Sequence, residues 1–231
     1  MLRKWDDLPE FMRTPEVRPY WEILNKKKGQ LLLKRIFDLI VSVILLVVLA
    51  IPMGIIAILI RKDSDGPVFY RQERVTTYGK HFRIHKFRTM VSNADKIGTA
   101  VTVGNDSRIT KVGAKLRGHR LDELPQILDV ITGNMSFVGT RPEAVKYVER
   151  YKPEYNATLL MPAGITSEAS IRYKDEDKLL NVADDVDEVY INQVLPEKMK
   201  WNLKSIMRFR FTRDILTMFR TVFAVFGRDY T

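Results

Sequence analysis

Residues 36–62 read "IFDLIVSVILLVVLAIPMGIIAILIRK". No side chain from Leu39 to Ile60 is charged, and at about 1.5 Å per residue this stretch makes roughly 33 Å of helix, slightly more than a bilayer hydrocarbon core. Pro52 lies inside it, where it offers no N–H to the carbonyl of Val48 and its ring crowds that carbonyl, so a bend is expected there. Residues 16–35 carry six Lys or Arg and residues 61–80 carry five. By the positive-inside tendency both flanks belong on the cytoplasmic side. A helix broken at Pro52 that enters one leaflet and returns satisfies both flanks, whereas a kinked single span must translocate the first cluster. The segment starts too late and runs too long for a removable signal peptide, so it is expected to stay with the mature chain.

Around this segment the chain divides into an N-terminal surface extension (1–30), a re-entrant membrane helix (31–62) and a compact domain (63–231) with amphipathic helices at its end. The 231 residues suffice for one ordinary domain plus an anchor. There is no cysteine, which excludes disulfides and thiolate metal sites and leans towards a reducing compartment. Thirty-eight Lys and Arg against twenty-eight Asp and Glu give a formal net charge of +10. Such an excess suits a polyanionic partner: nucleic acid, anionic lipid headgroups or phosphorylated substrates.

"VFYRQERV" (68–75) and "HFRIHKFRTM" (81–90) alternate apolar and polar positions, which predicts a β-hairpin turning near "TTYGK". Residues 92–108 read as a loop or frayed helix. From about Ile109 the period becomes helical, with two helices, a break before Pro125 and a C-terminal cap at Gly133 and Asn134. A short apolar run, a turn and a helix near Pro142 follow. The fold class is therefore α+β: a mostly helical domain with a small β-hairpin.

Chemistry concentrates at "RGHRLDELPQ" (117–126). Asp122 and Glu123 are adjacent carboxylates at a helix start, where amide donors, the helix dipole and the nearby Arg117 and Arg120 favour ionised forms. One ionised carboxylate can attack phosphorus while its neighbour holds a hard divalent cation. Taken alone, the pair is also an ordinary helix N-cap. "KFRTM" (86–90) and "GTRPE" (139–143) add Lys86, Arg88 and Arg141 at element ends, where such groups can clamp phosphate oxygens.

"KRIFDLI" (34–40), "GPVFYRQERV" (66–75), "KFRTM", "RLDELPQILDVITGNMSFVGTRPE" (120–143) and "PAGIT" (162–166) together resemble the bacterial sugar transferase family, the monotopic polyprenyl-phosphate phosphoglycosyl transferases in their small single-domain form. The resemblance runs through roughly residues 31–225. It implies transfer of a sugar 1-phosphate from a UDP-sugar to undecaprenyl phosphate with release of UMP, as a first step of bacterial surface glycan assembly. It implies Asp122 as the nucleophile of a covalent phosphosugar intermediate and Glu123 as the Mg²⁺ ligand. Arg88, Arg117, Arg141 and Arg172 are the implied substrate and phosphate contacts, Lys174 being an equal candidate for the last, and Lys86 joins them as a phosphate-binding candidate from its place in "KFRTM". A proline-broken re-entrant helix on the cytoplasmic face of the inner membrane, in contact with its lipids, is implied as well. Three departures stand out: Ile51 where many members have Ser, Thr140 where many have Pro, and the extra Ala163 between Pro162 and Gly164.

His81 and His85 are spaced too widely along a strand, with no acidic companion, to read as a zinc pair. The acidic stretch from Asp175 to Glu188 lacks the spacing and central Gly of a calcium loop. The basic, aromatic C-terminal helices suit either the headgroup layer or the domain core. No helix-turn-helix, RNA-binding or phosphate-loop signature occurs, so nucleic acid is not an expected partner. The rival from another class is a non-catalytic membrane adaptor whose basic surface binds anionic lipid. The sequence leaves self-association into a homo-oligomer open.

Overall fold

The structure, a computed structural model, describes residues 2–94, 106–173 and 185–225. Helix α1 (Arg18–Asn25) leads into the long helix α2 (Lys28–Asp63). The hairpin follows as β1 (Phe69–Val75) and β2 (His81–Phe87), paired antiparallel with Phe69 opposite Phe87. Its turn lies at Thr77–Gly79, where Tyr78 and Gly79 take positive φ. The alternation in the sequence is realised along β1 and from His81 to Ile84 of β2, and breaks at His85–Phe87, where Lys86 is half-buried and Phe87 buried.

After α3 (Lys111–Gly118), a 3-10 turn spanning Leu121–Gln126 carries the acidic pair into α4 (Ile127–Ile131). The expected break before Pro125 lies instead at His119 and Arg120, where Arg120 adopts φ 53°. Pro125 sits inside the tighter 3-10 turn. Gly133, at φ 82°, ends α4 as the sequence suggests. Strand β3 (Met135–Val138) then pairs in parallel with β4 (Ala163–Thr166). Between them lie α5 (Val145–Val148), which begins three residues later than Pro142, and a 3-10 segment, Pro153–Leu160. At the β3–β4 contact a side chain on Gly164 would come within 2.1 Å of the Gly139 backbone, so only glycine lets the two strands meet. Ala163, the extra residue of its motif, is buried within β4 and donates its N–H to the Thr76 hydroxyl at 3.1 Å. The chain closes with α6 (Glu168–Arg172), α7 (Val186–Val189), a π-turn, α8 (Leu195–Met207) and α9 (Phe211–Val225). Lys174 and most of the acidic stretch lie outside the described residues, as do residues 95–105.

The first 30 residues correct an expectation. They do not form a surface extension but supply a third of the main core: Met12, Val17 and Leu24 are fully buried among Tyr155, Leu159, Met199 and Leu203. The apolar positions 17, 20, 21 and 24 follow the i, i+3, i+4, i+7 spacing of a helix face, a signal masked by the surrounding prolines and charges. Trp5 packs edge-to-face on Trp21 at 5.6 Å, and Arg18 lies over both rings.

Helix α2 is continuous through Pro52, so the residue expected to break the helix sits within one unbroken run. One of its faces docks on the domain along its length: Val41 and Leu45 against the cluster of Phe82, Val130 and Phe137, then Met53 and Ile60 against Phe87 and Leu116. Both ends are pinned. Arg35 donates to the carbonyls of Val130 and Ile131 that end α4, and Asp38 accepts from the Ser136 hydroxyl at 2.7 Å. At the far end Asp63 accepts from the Val112 amide, capping the start of α3. The opposite face, including Ile40, Val47, Val48, Ile51 and Ile55, is left exposed, Ile51 at 76%. A contiguous apolar strip of this length is far beyond what a soluble monomer leaves uncovered.

Candidate active site

The acidic pair is presented by the 3-10 turn at Leu121–Gln126, which packs on β2. Glu123 is clamped: Lys86 of β2 donates to its Oε1 at 3.0 Å, and both terminal nitrogens of Arg141 reach its two carboxylate oxygens, Nη1 to Oε2 at 3.3 Å. Burial alone would raise the Glu123 carboxyl, but Arg141 and then Lys86 outweigh it and hold the group far below the ordinary glutamate range. Burial likewise pulls Lys86 down, against the attraction of Glu123.

Asp122 is different. It is half-buried and, among the described residues, its carboxylate makes no ion pair within 4 Å. Burial pushes its carboxyl above the ordinary aspartate range and the Glu123 charge adds to this, against the pull of Lys86 and Arg117. The sequence suggested that amides and cations would keep it strongly ionised. They are present, but desolvation and the neighbouring carboxylate dominate. Two adjacent acids thereby divide: one is a fixed anion in a cationic clamp, the other an unpaired carboxylate with a raised proton affinity.

A pH dependence follows. The ionised form of Asp122 is populated above its raised pKa, so any step that needs it is lost as pH falls through that value, at a higher pH than for a free aspartate near 3.9. Glu123→Gln removes the neighbouring negative charge and should move this acid limb to lower pH. The carboxyl titration of Asp122, followed by ¹³C NMR in both proteins, checks it; an unchanged midpoint would remove Glu123 as a cause.

Arg141 is held from two sides. The Thr140 carbonyl accepts from Gly164 N at 2.8 Å, and the Glu143 carbonyl accepts from Val75 N at 3.1 Å. The Glu143 side chain belongs to a buried network that sequence reasoning missed: Tyr190 donates to Glu143 Oε1 at 2.7 Å, and Lys198 lies 3.0 Å from the Tyr190 hydroxyl and 3.5 Å from the carboxylate. Glu143 is visible in the "RPE" motif, whereas Lys198, 55 residues on, carries no local signal.

The structure brings Lys86, Glu123 and Arg141 together, with Asp122 alongside. Arg117 stands on α3 with Nε 3.0 Å from the Thr89 hydroxyl, and its charge acts on Asp122. Arg88 is not brought to the cluster. Its guanidinium is buried against the end of α2, donating to the carbonyls of Ser64 (2.6 Å), Asp65 (2.9 Å) and Ile60 (3.4 Å). Gly66, at φ +125°, leaves it room, since a side chain there would come within 2.1 Å of Arg88 Nη1. Arg172 lies elsewhere too, stacked 3.8 Å above the Trp201 ring on the wall of a separate cavity. His81 and His85 are taken by different carboxylates, Glu73 and the buried Asp129.

The donor set suits one kind of metal site. Among the described residues no three His, Asp or Glu side chains converge. Glu123 Oε1 accepts from both Lys86 and Arg141, while Oε2 accepts only from Arg141 and keeps a lone pair. This fits a magnesium ion held by one carboxylate and completed by substrate phosphates.

A model of the family described as bacterial sugar transferase matches residues 29–228. The chain belongs to this family. Residues 1–28, whose side chains help build the core, precede the match. The chain is 36% identical over 200 residues to the UDP-glucose:undecaprenyl-phosphate glucose-1-phosphate transferase of Escherichia coli (strain K12), covering 84% of this chain and 40% of that protein. It is 42% identical over 149 residues to the exopolysaccharide production protein PSS of Rhizobium leguminosarum bv. phaseoli, covering 62% and 74%. Against the UDP-N-acetylgalactosamine-undecaprenyl-phosphate N-acetylgalactosaminephosphotransferase of Aeromonas hydrophila, identity is 32% over 193 residues, covering 82% and 43%. The chain thus spans well under half the length of the first and third of these relatives.

Proposed function

We propose that the protein moves a sugar 1-phosphate from a UDP-sugar to undecaprenyl phosphate, releasing UMP, through a covalent aspartyl-phosphosugar intermediate. The observation that carries this is the division of labour in the acidic pair. Asp122 makes no ion pair among the described residues and lies beside Lys86 and Arg141, the cations that clamp Glu123, and within the field of Arg117. The names of the relatives, two of them undecaprenyl-phosphate sugar-phosphate transferases, support the same substrates.

In the first step an Asp122 carboxylate oxygen attacks the phosphorus that bears the sugar. A P–O bond forms to Asp122, the bond to the bridging oxygen breaks, and UMP leaves with the electron pair. In the second step a phosphate oxygen of undecaprenyl phosphate attacks the same phosphorus, the Asp122 carboxylate departs, and a lipid diphosphosugar results. Lys86 and Arg141, donating from one side, hold phosphate oxygens and offset charge gathering on them. Glu123, through Oε2 and together with the substrate phosphates, would hold a Mg²⁺ ion, which would supply further charge neutralisation. Incubation with a panel of UDP-sugars and undecaprenyl phosphate tests the reaction by UMP release. No UMP from any donor would favour a lipid-binding adaptor instead.

We further propose that α2 enters the cytoplasmic leaflet of the bacterial inner membrane and does not cross it. Both of its ends are pinned to one domain, and a helix docked along its length on that domain cannot reach the far side unless the domain goes with it. The absence of native cysteine makes the test direct. Cysteines placed at Lys28 and at Lys62 should both resist a membrane-impermeant thiol reagent in intact cells, and labelling at one flank alone would mean a span.

A further inference from the structure

Helices α6, α8 and α9 enclose a cavity of about 270 Å³ that does not contain the acidic pair. Six cations line it: Arg172, Lys204, Arg208, Arg210, Arg213 and Arg220. Among the described residues none of the six has a carboxylate within 4 Å. Two carboxylates share the wall: Asp214 is spent on Lys34 of α2 at 2.7 Å, and Glu168 of α6 forms no ion pair with any of the six cations. Six like charges around one small volume repel one another, and an anion bound among them relieves that repulsion. Arg172 lies over the Trp201 ring, which orients its planar donor group.

Helix α9 indicates what carries the anion. Arg213, Thr217 and Arg220 form one stripe along it, facing the cavity. The next stripe, Leu216, Phe219 and Phe223, is apolar and exposed. The helix is joined to α2 through Phe211 packed on Phe37, ring centroids 5.4 Å apart, and through the Lys34–Asp214 pair. A cationic stripe bordering an apolar one, beside the exposed face of α2, is the arrangement of a helix lying at the lipid headgroup level. On its inner side the cavity is walled by Val138, Gly139 and Thr140, the residues directly before Arg141. It therefore adjoins the clamp on Glu123 through one short segment.

We infer that this cavity binds the phosphate of a lipid, with the hydrocarbon running out along the apolar stripe of α9. Two sources share that chemistry: the undecaprenyl phosphate acceptor, an assignment that rests on the transferase function proposed above, and a membrane phospholipid, which does not. The test reads binding without turnover. The full chain in detergent micelles is titrated with undecaprenyl phosphate, with undecaprenol and with phosphatidylglycerol, and retained lipid is counted by native mass spectrometry. The wild-type chain should retain a phosphate-bearing lipid and release undecaprenol. Arg213→Gln/Arg220→Gln should cut retention by about tenfold, and Arg213→Lys/Arg220→Lys should keep most of it. Preference for undecaprenyl phosphate over phosphatidylglycerol marks an acceptor site, and equal retention of the two marks a headgroup site. Arg208→Gln/Arg210→Gln is the second pair should the first not fold. Lys4→Gln/Arg13→Gln removes two exposed cations outside the cavity and should change nothing. The inference is overturned if undecaprenol binds as well as its phosphate, if the wild-type chain retains no lipid, or if the control pair loses as much as the cavity pair. Retention without UMP release would count against the transferase function and leave this site standing.

Discussion

Asp122→Asn should abolish turnover, by about a thousandfold or more, while leaving the fold intact or slightly firmer. An amide oxygen is a far weaker nucleophile than a carboxylate, and loss of an attacking group commonly costs several orders of magnitude. The stability half of the expectation comes from the raised proton affinity of Asp122. A carboxyl whose folded pKa lies above its unfolded one makes the fold less stable as pH rises through that interval, so at neutral pH the ionised group is a liability. Asn removes it. The melting temperature of the variant should therefore match or exceed that of the parent while UMP release disappears. Lost activity together with a lowered melting temperature would make Asp122 structural.

The second large effect is expected at Glu143. Its carboxylate is buried with Tyr190 and Lys198. Glu143→Ala removes a carboxylate that accepts from Tyr190 and faces the Lys198 ammonium in a site almost closed to water, and a buried pair broken from one side costs about 3–5 kcal/mol. In a chain of this size that lowers the melting temperature by on the order of 10 °C. Lys198→Met in the same background should recover part of the loss, because the ammonium that faced Glu143 goes with it. Single and double variants compared by thermal unfolding measure the coupling. Additive losses would mean that the two side chains do not act together. Since Glu143 also fixes the segment that carries Arg141, the single variant should weaken substrate binding as well.

Much of this fold was legible because local pattern and tertiary role agree. The alternation around Arg71 and Arg83 gives the hairpin, Gly133 ends α4 in the left-handed conformation, and the uncharged run from Leu39 to Ile60 gives α2. The acidic pair and its clamp were legible as motifs. What failed did so where a distant contact decides the outcome. The 1–30 segment looks like a surface arm until Val17 and Leu24 are seen buried in the same cluster as Tyr155 and Met199. Arg88 looks like a phosphate ligand until α2 ends within its reach and four acceptors take its donors. Lys198 had no motif at all. For Asp122 the sequence points the wrong way, because helix-start amides and nearby cations can be read from it, whereas desolvation depends on what packs above the turn.

The most direct test is of the covalent bond itself. The protein is mixed with a UDP-sugar and Mg²⁺ without any polyprenyl phosphate, quenched, and its intact mass and peptide masses are measured. A gain equal to one sugar phosphate, mapped to the peptide containing Asp122 and discharged on adding undecaprenyl phosphate, is the expected result. UMP release with no adduct, or an adduct mapped to another residue, would contradict Asp122 as the nucleophile.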